Sequence, residues 1–273
     1  MDLWNHWAGN WRDNYGNDKI RWKTTVGIGD SMYGLNIAYM RAFVNQKPTK
    51  LQINYHFPEN YYYHYEDPES VDSRVKYINQ FYMWKDMVHV EHVFNCKDYK
   101  LYKAKYYGVK RYKKSELYRY WSFDPTLKTT PQNKKIVLWR PTFNAQQQLS
   151  GYKIPMLDHE WERMINILKW FGYDVIELSY RTPISEAVYH IRTCECCISY
   201  EGMWHYIAKN FFKPHIVFSS SSITEWHTPH ALWIRDHEFL IDRDMKKIEY
   251  NIEHALDKAE NFKHVFNKFV NGW

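Results

Sequence analysis

Apolar positions in the first half of the chain recur with two different periods. Residues 21–26, 51–55 and 88–93 are rich in β-prone residues and alternate with polar ones, which predicts three strands. A helix is predicted between the first two strands from apolar residues near the helical period, Leu35, Ile37, Ala38, Ala42 and Phe43. The first half therefore reads as strands connected by helical segments.

The second half shows short apolar runs separated by amphipathic segments. Strands are predicted at residues 135–139, 174–178, 196–199 and 215–218. One helix is predicted from Trp161 to a glycine at its C-terminus, Gly172, and a second begins at Ser185 as its N-cap. Two more are predicted over 203–212, ending before Pro214, and from Ile252 to Phe269. Strands that alternate with helices predict parallel sheets with ligands at the carboxyl ends of the strands.

The length and composition predict two globular domains. The chain has 273 residues, of which 45% are apolar and 25% charged, and its mean hydropathy is −0.68. The polar, turn-rich stretch 126–133 is the predicted linker, so we expect domains at 1–130 and 131–248 and a crossover helix at 249–273. The sequence holds no apolar run near the ~20 residues of a membrane helix and no secretion signal at its start. A cytoplasmic location is expected.

The cysteines do not predict a disulfide framework or a zinc site. Cys194, Cys196 and Cys197 are crowded together, and Cys96 stands alone. No second pair of ligands accompanies them at a spacing typical of zinc sites. We expect reduced thiols packed as small apolar side chains.

The positive charge of the chain is concentrated in one segment. The net charge is +6, and residues 97–121 contain nine basic and two acidic residues with seven interleaved tyrosines. Basic groups attract phosphates and tyrosine rings can stack on bases or line a sugar, which predicts a polyanion-binding face that could take nucleic acid. Its candidate residues are Lys105, Tyr106, Tyr107, Lys110, Arg111, Lys113 and Lys114. A solvated pair of elements with inward-packed tyrosines is the equally weighted alternative.

The first candidate for chemistry is the Gly27-Ile28-Gly29-Asp30 string between a strand and a helix. Glycines allow a tight turn, and a helix N-terminus offers unpaired N–H groups to an anion. A carboxylate at Asp30 could take a proton from an attacking hydroxyl group. The alternative is that Asp30 simply caps the helix.

The second candidate is the stretch 199–214, where a strand end, a glycine and a helix start come together. Backbone N–H groups after Gly202 could hold a diphosphate, as in a site for a nucleotide-linked donor. Glu201 and Gly29 are further candidate residues of this donor site. His205 could donate a hydrogen bond to a phosphate or ribose, against the alternative of an ordinary surface histidine. A third string, Asp242-Arg243-Asp244, fits helix capping better than metal binding, so no metal is expected.

The Gly27-Ile28-Gly29-Asp30 string and the stretch 199–214 resemble motifs of the heptosyltransferase-like glycosyltransferases. The resemblance covers most of the chain in the order of its elements. The residues that match the family's donor signature are Gly202, His205, Ala208 and Pro214. Tyr200 and Glu201 stand where the signature has Asp and Ser/Thr. It implies an α/β, GT-B fold: two Rossmann-like domains facing a central cleft, with the C-terminal helix packing back toward the first domain. It also implies Asp30 as the catalytic base. Further donor contacts are expected at Arg140, Ser219 and Ser220.

The function expected from this resemblance is transfer of a sugar from a nucleotide sugar to a hydroxyl group with inversion. The donor is expected to be UDP-linked, and no cofactor is required because the diphosphate cradle stabilises the leaving group. The chain also resembles phage enzymes that glycosylate hydroxymethylated pyrimidines in double-stranded DNA, so that acceptor is expected, in the host cytoplasm. The flipped base would stack on aromatic residues such as Tyr61, Tyr62 and Tyr63. The alternatives are a lipopolysaccharide-type sugar transferase and a nucleic-acid-binding module with a decayed donor site.

Overall fold

The fold is mixed α/β with parallel sheets, and the chain divides into two compact units. Unit 1 comprises residues 1–124 and 268–273, and unit 2 comprises residues 125–267. The computed structural model describes residues 19–25, 28–56, 68–93, 121–139, 158–179, 181–200, 202–218, 231–234 and 245–271. The predicted linker, 126–133, forms neither helix nor strand and follows the boundary between the units.

Unit 1 contains a three-stranded parallel sheet. Its strands are β1 (Lys19–Thr25), β2 (Thr49–His56) and β3 (Val88–Val93), paired in the order β1-β2-β3. The helices among its described residues are α1 (Ile28–Asn45) and α2 (Pro68–Asn79), and a short 3-10 helix spans Lys85–Met87. The three predicted strands and the predicted helix are confirmed. Helix α2 was not predicted.

Helix α1 is enclosed along most of its length. Every residue from 31 to 43 is buried, because one side of α1 packs on the sheet and aromatic residues pack around it. The ring of Tyr39 stacks on Tyr82 at 4.1 Å, and Phe43 stacks on Trp84 at 4.5 Å. The Tyr39 hydroxyl donates to Asn79 Oδ1 at 2.6 Å. The hydrogen bond gives the Tyr39 hydroxyl a partner, while the stacked rings fill the core around α1.

Unit 2 contains a five-stranded, all-parallel sheet with the order β5-β4-β6-β7-β8. Its strands are β4 (Lys135–Trp139), β5 (Asp174–Leu178), β6 (Cys196–Tyr200), β7 (His215–Phe218) and β8 (Leu232–Ile234). The helices that the structure describes in this unit are α3 (Asp158–Trp170), α4 (Ile184–Thr193), α5 (Met203–Asn210) and α6 (Met245–Asn271). Four of these strands and all four helices were predicted, whereas β8 was not.

The helices of unit 2 cover both faces of its sheet. Helices α3 and α6 share one core with alternate strand residues such as Leu138, Ile198 and Phe218. Helices α4 and α5 contact each other and the sheet. Connections between parallel strands are right-handed, so a connection that runs to the opposite side crosses the opposite face of the sheet. Helix α3 lies in the connection from β4 to β5, and α5 lies in the connection from β6 to β7, which runs the other way. Helices α3 and α6 therefore cover one face, and α4 and α5 cover the other.

Two local predictions have different outcomes. Gly172 lies after α3 with φ +81°, and Tyr173 N–H donates to the Leu168 carbonyl at 3.0 Å, so the predicted C-terminal glycine is confirmed. The prediction that Ser185 caps a helix is wrong. Helix α4 begins at Ile184, and Pro183 occupies its N-cap position without a side-chain hydrogen bond, so Ser185 lies within the first turn.

Cys194, Cys196 and Cys197 are buried thiols that form no disulfide, as predicted. Cys194 Sγ and Cys197 Sγ lie 3.3 Å apart. Burial raises the pKa of the Cys196 thiol well above its usual value, which makes this thiol a poor nucleophile. Within the ranges given above, no helix combines the length and apolar character needed to cross a membrane.

Candidate functional site

The strands of unit 2 end side by side at one edge of the sheet. Trp139 at the end of β4 pairs with Leu178 of β5 and with Ser199 of β6. Phe218 at the end of β7 pairs with Tyr200 of β6 and with Ile234 of β8. Because all five strands are parallel, the connections that follow them leave from this one edge.

The strand order reverses direction between β4 and β6. From β4 the chain moves to β5 on one side, and from β6 it moves through β7 to β8 on the other side. In open α/β sheets the two diverging connections leave a crevice at such a switch point, and ligands bind there. Of the predicted donor residues, Arg140 follows β4 directly and Glu201 follows β6 directly. Arg140, Glu201, Ser219 and Ser220 lie outside the described residues.

Gly202 forms the turn between β6 and α5 in a conformation that favours glycine. Its φ and ψ are 154° and −160°, in a region that side chains with a Cβ rarely adopt. The Gly202 N–H donates to His205 Nδ1 at 2.8 Å. The histidine therefore satisfies one of the backbone N–H groups at the start of the helix and fixes the shape of the turn.

His205 lies under this turn, with only 1% of its surface exposed. Its ring centroid is 4.1 Å from that of Tyr206 and 5.7 Å from that of Trp233. Because Nδ1 accepts a hydrogen bond, the proton of the neutral ring is on Nε2. In this structure His205 holds the turn, and its predicted hydrogen bond to a phosphate or ribose stays a prediction.

Helix α5 is accessible at its N-terminal end. Gly202 and Met203 are half-buried, and every residue from 204 to 210 is buried. The first N–H groups of a helix carry partial positive charge and lack partners within the helix. The end of α5 that remains accessible is therefore the end that can bind an anion.

Two buried basic side chains lie farther from this edge and were not predicted. Lys209, on the last turn of α5, is 1% exposed, and burial lowers its pKa to about 7. His215 begins β7 at the opposite edge, and burial lowers its pKa to about 4. His215 Nδ1 lies 3.0 Å from the Lys213 carbonyl. Lys209 and His215 were missed because they belong to a polar stretch next to an apolar strand, and such a stretch does not predict that a basic side chain is buried.

The first candidate motif lies at the start of α1 in unit 1. Gly29 is half-buried in the first turn, and Asp30 is the third residue of the helix, so Asp30 is not its N-cap. An aspartate in a first turn interacts favourably with the helix dipole. The side chain of Asp30 lies outside what the structure describes, and its role as a base stays a prediction.

A buried histidine side chain and a partly exposed carboxylate, which the sequence did not indicate, lie near the end of β3. His92 Nε2 is 3.1 Å from Asp72 Oδ1 on α2, and Lys76 Nζ is 2.5 Å from Asp72 Oδ2. Burial lowers the pKa of His92, and the carboxylate of Asp72 opposes that shift. These contacts tie α2 to the edge strand of the sheet.

Other predicted residues are not described by the structure. They are the seven candidates of the basic segment, the Tyr61 to Tyr63 run and the Asp242-Arg243-Asp244 string. Among the residues that are described, no group of three or more His, Cys, Asp or Glu side chains is placed to hold a metal ion.

Comparisons with known proteins found similarity in structure and none in sequence. No protein-family model matches the chain, and no curated protein matches it in sequence. Among solved structures, the chain is similar to the iron-containing dodecameric glycosyltransferase TibC from enterotoxigenic E. coli H10407. The TM-score is 0.48 with 11% sequence identity, and the match covers 90% of this chain and 76% of TibC.

Proposed function

We propose that this protein is a glycosyltransferase that moves a sugar from a nucleotide-sugar donor to a hydroxyl acceptor. The observation that carries the proposal is the switch point of the unit-2 sheet, which lies between the strand before Arg140 and the strand before Gly202. Ligands of open α/β sheets bind at this position. The motif resemblance described above supports a GT-B arrangement of the two units.

In this proposal the donor diphosphate binds at the N-terminus of α5. The N–H groups after Gly202 and the guanidinium of Arg140 supply positive charge, with Glu201, Ser219, Ser220 and Gly29 contacting the rest of the donor. His205 acts by holding Gly202 in its conformation, as its 2.8 Å hydrogen bond supports. Charge placed at the diphosphate stabilises the leaving group as the bond to the sugar breaks.

The acceptor enters from unit 1, where Asp30 removes the proton of the attacking hydroxyl group. A single displacement at the anomeric carbon then inverts its configuration. We propose a hydroxymethylated pyrimidine in double-stranded DNA as the acceptor and a UDP-linked sugar as the donor. The charge of the 97–121 segment supports a polyanionic acceptor.

The test incubates the purified protein with hydroxymethylated and unmodified duplex DNA and a panel of nucleotide sugars. Mass spectrometry of the digested nucleosides should show a hexose or pentose added only to the hydroxymethylated base. Transfer to a lipopolysaccharide core instead would replace the DNA acceptor. If no nucleotide sugar binds, as measured by calorimetry, the proposed enzyme activity is wrong.

A further inference from the structure

Two of the buried thiols of unit 2 are in direct contact. Cys194 is the C-cap of α4, and Cys197 is the second residue of β6. Cys194 is fully buried, and Cys197 is 4% exposed. The turn from α4 into β6 brings their Sγ atoms to a separation of 3.3 Å.

Cys196, the residue between them on β6, is not part of this contact. Side chains alternate along a strand, so Cys196 lies on the opposite face of β6 from Cys197. It belongs to the core that β6 shares with α3 and α6, and its Sγ lies 3.4 Å from the Cys197 carbonyl oxygen. Of the three thiols that the structure describes, Cys194 and Cys197 are therefore the two placed to react with each other.

A disulfide between Cys194 and Cys197 requires only a small movement. The bond between two disulfide sulfurs is about 2.0 Å long, so the two Sγ atoms must approach each other by about 1.3 Å. An approach of this size is within the reach of rotation about the two Cα–Cβ bonds. The fold therefore holds the two thiols close to the geometry of a disulfide while both are reduced.

The two thiols and a helix carbonyl form one hydrogen-bonded chain. Cys194 Sγ donates to the Ile191 carbonyl at 3.1 Å, so the proton between the two sulfurs is donated by Cys197. This hydrogen bond and burial raise the pKa of the Cys197 thiol well above its usual value, and the charge of Lys213 opposes the shift. Cys197 is therefore mostly protonated at neutral pH and reacts slowly.

We propose that Cys194 and Cys197 are a peroxide-sensitive pair that closes into a reversible disulfide. In the first step the Cys197 thiolate attacks hydrogen peroxide, the O–O bond breaks, and the sulfur becomes a sulfenic acid as hydroxide leaves and takes up the thiol proton. In the second step Cys194 Sγ attacks that sulfur, the S–S bond forms, and the sulfenic oxygen leaves as water. Overall, two thiols and one peroxide give one disulfide and two molecules of water.

Access to the sulfurs selects both the attacking thiol and the oxidant. Cys197 keeps 4% of its surface accessible, whereas Cys194 has none. Hydrogen peroxide is close to water in size and reaches a sulfur with so little exposure. Glutathione disulfide, which joins two tripeptides, is too large to form a mixed disulfide there, because exchange requires direct contact between the sulfurs.

The role of the pair is to protect the core of unit 2 from irreversible oxidation. A sulfenic acid that has no second thiol nearby is oxidised further to a sulfinic acid, which thiol reductants do not reverse. A sulfinic acid also introduces a charge, and an unpaired charge is costly inside a core. The disulfide is neutral and returns to two thiols on reduction. This role does not depend on the proposed sugar transfer.

The test treats the folded protein with excess hydrogen peroxide, removes the peroxide, and then unfolds the chain and labels its free thiols with iodoacetamide. The tryptic peptide 193–209 contains Cys194, Cys196 and Cys197. Mass spectrometry should find a label on Cys196 alone, and dithiothreitol before labelling should restore the labels on the other two. Labels on all three without the reductant, labels that dithiothreitol does not restore, or a bridge to Cys196 or Cys96 would overturn the proposal. So would a bridge that forms as fast with glutathione disulfide as with peroxide.

Single substitutions test the order of the two steps, while the wild-type labelling decides the proposal even where a variant does not fold. In Cys194→Ala the sulfenic acid of Cys197 has no partner, so Cys197 should lose its label in peroxide and dithiothreitol should not restore it. In Cys197→Ala, the fully buried Cys194 should keep its label. The matched control is Cys196→Ala, which removes a thiol from the same strand and should still form the bridge.

Urea unfolding after peroxide and then dithiothreitol tests the protective role. The wild-type protein and Cys196→Ala should recover their unfolding midpoints, because their disulfide is reduced again. Cys194→Ala should keep a lowered midpoint, because the oxidation of Cys197 is irreversible. Full recovery of the midpoint by Cys194→Ala would contradict the protective role of the pair.

Discussion

His215 is the residue for which the structure predicts the clearest pH dependence. Burial lowers its pKa from 6.5 to about 4, and this outweighs the hydrogen bond to the Lys213 carbonyl, which raises the pKa. The unfolded chain therefore takes up a proton first as the pH falls. The stability contributed by neutral His215 is complete above pH 6.5 and is lost as the pH falls toward 4, by about 3 kcal/mol in total.

His215→Gln should flatten this acid dependence, because glutamine keeps a donor for the Lys213 carbonyl and does not titrate. The measurement is urea unfolding at several pH values between 7.5 and 4.5. The control is His89→Gln, which removes an exposed histidine and should retain the wild-type loss. If His215→Gln loses as much stability in acid as the wild-type protein, burial of this ring is not the cause.

Asp30→Asn tests the proposed base in the first turn of α1. Asparagine has nearly the same shape but cannot accept a proton from the acceptor hydroxyl, so kcat should fall by about 10²–10⁴-fold. Donor affinity, measured by calorimetry, should stay nearly unchanged because in the proposal the donor diphosphate binds to unit 2 and Asp30 contacts the acceptor hydroxyl. Asp86→Asn removes an exposed carboxylate of the same unit and should leave both values at their wild-type level. Full activity in Asp30→Asn would exclude this residue as the base.

At the scale of elements, the turn before α5 can be tested against a matched glycine. Gly202 has φ +154° and Gly172 has φ +81°, so alanine is strained at both positions by about 1–3 kcal/mol. A Cβ at Gly172 would meet Lys134 Nζ at 3.8 Å, an ordinary contact, so the cost there is backbone strain. Both alanine variants should unfold at lower urea concentrations, and Gly202→Ala alone should weaken nucleotide-sugar binding.

The reason for this difference is the position of each glycine. Gly202 shapes the accessible N-terminus of α5, whereas Gly172 ends α3 before β5, at the edge opposite the strand ends. Calorimetric titration of each variant with the nucleotide sugar found to bind the wild type makes the comparison. Equal donor affinity in the two variants would place the donor away from this turn.

Elements with clustered apolar residues could be predicted from the sequence, and short or polar ones could not. Strands β4, β5 and β7 have the predicted bounds because each carries a cluster of apolar residues and is followed at once by a polar residue. Helix α2 buries Val75 and Ile78 within a largely polar segment, too few apolar positions to show a helical period. Strand β8 has three residues, too few to show alternation.

The candidate site was predictable where it depends on strand order along the chain, and not where it depends on packing. The turn at Gly202 followed from a strand, a glycine and a helix in sequence. The burial of His205 did not, because it requires Trp233 of a distant strand to pack against the ring.

At the scale of the whole molecule, the positive charge is concentrated in unit 1, where the proposed function has the nucleic acid bind. The segment at residues 97–121 has a net charge of +7 and belongs to that unit, whereas the net charge of the whole chain is +6. The salt dependence of binding tests whether this segment contacts DNA, because each neutralised contact removes a fixed part of the slope.

Replacing Lys110, Arg111, Lys113 and Lys114 with Gln should weaken duplex binding and lower its salt slope by about 3. The measurement is fluorescence anisotropy of a labelled duplex between about 0.05 and 0.2 M salt. The charge control is a variant that replaces four exposed basic residues outside the segment, Lys128, Arg163, Lys169 and Lys268, with Gln, and it should keep nearly the wild-type slope. An unchanged slope in the variant of the 97–121 segment would place the DNA elsewhere on the protein.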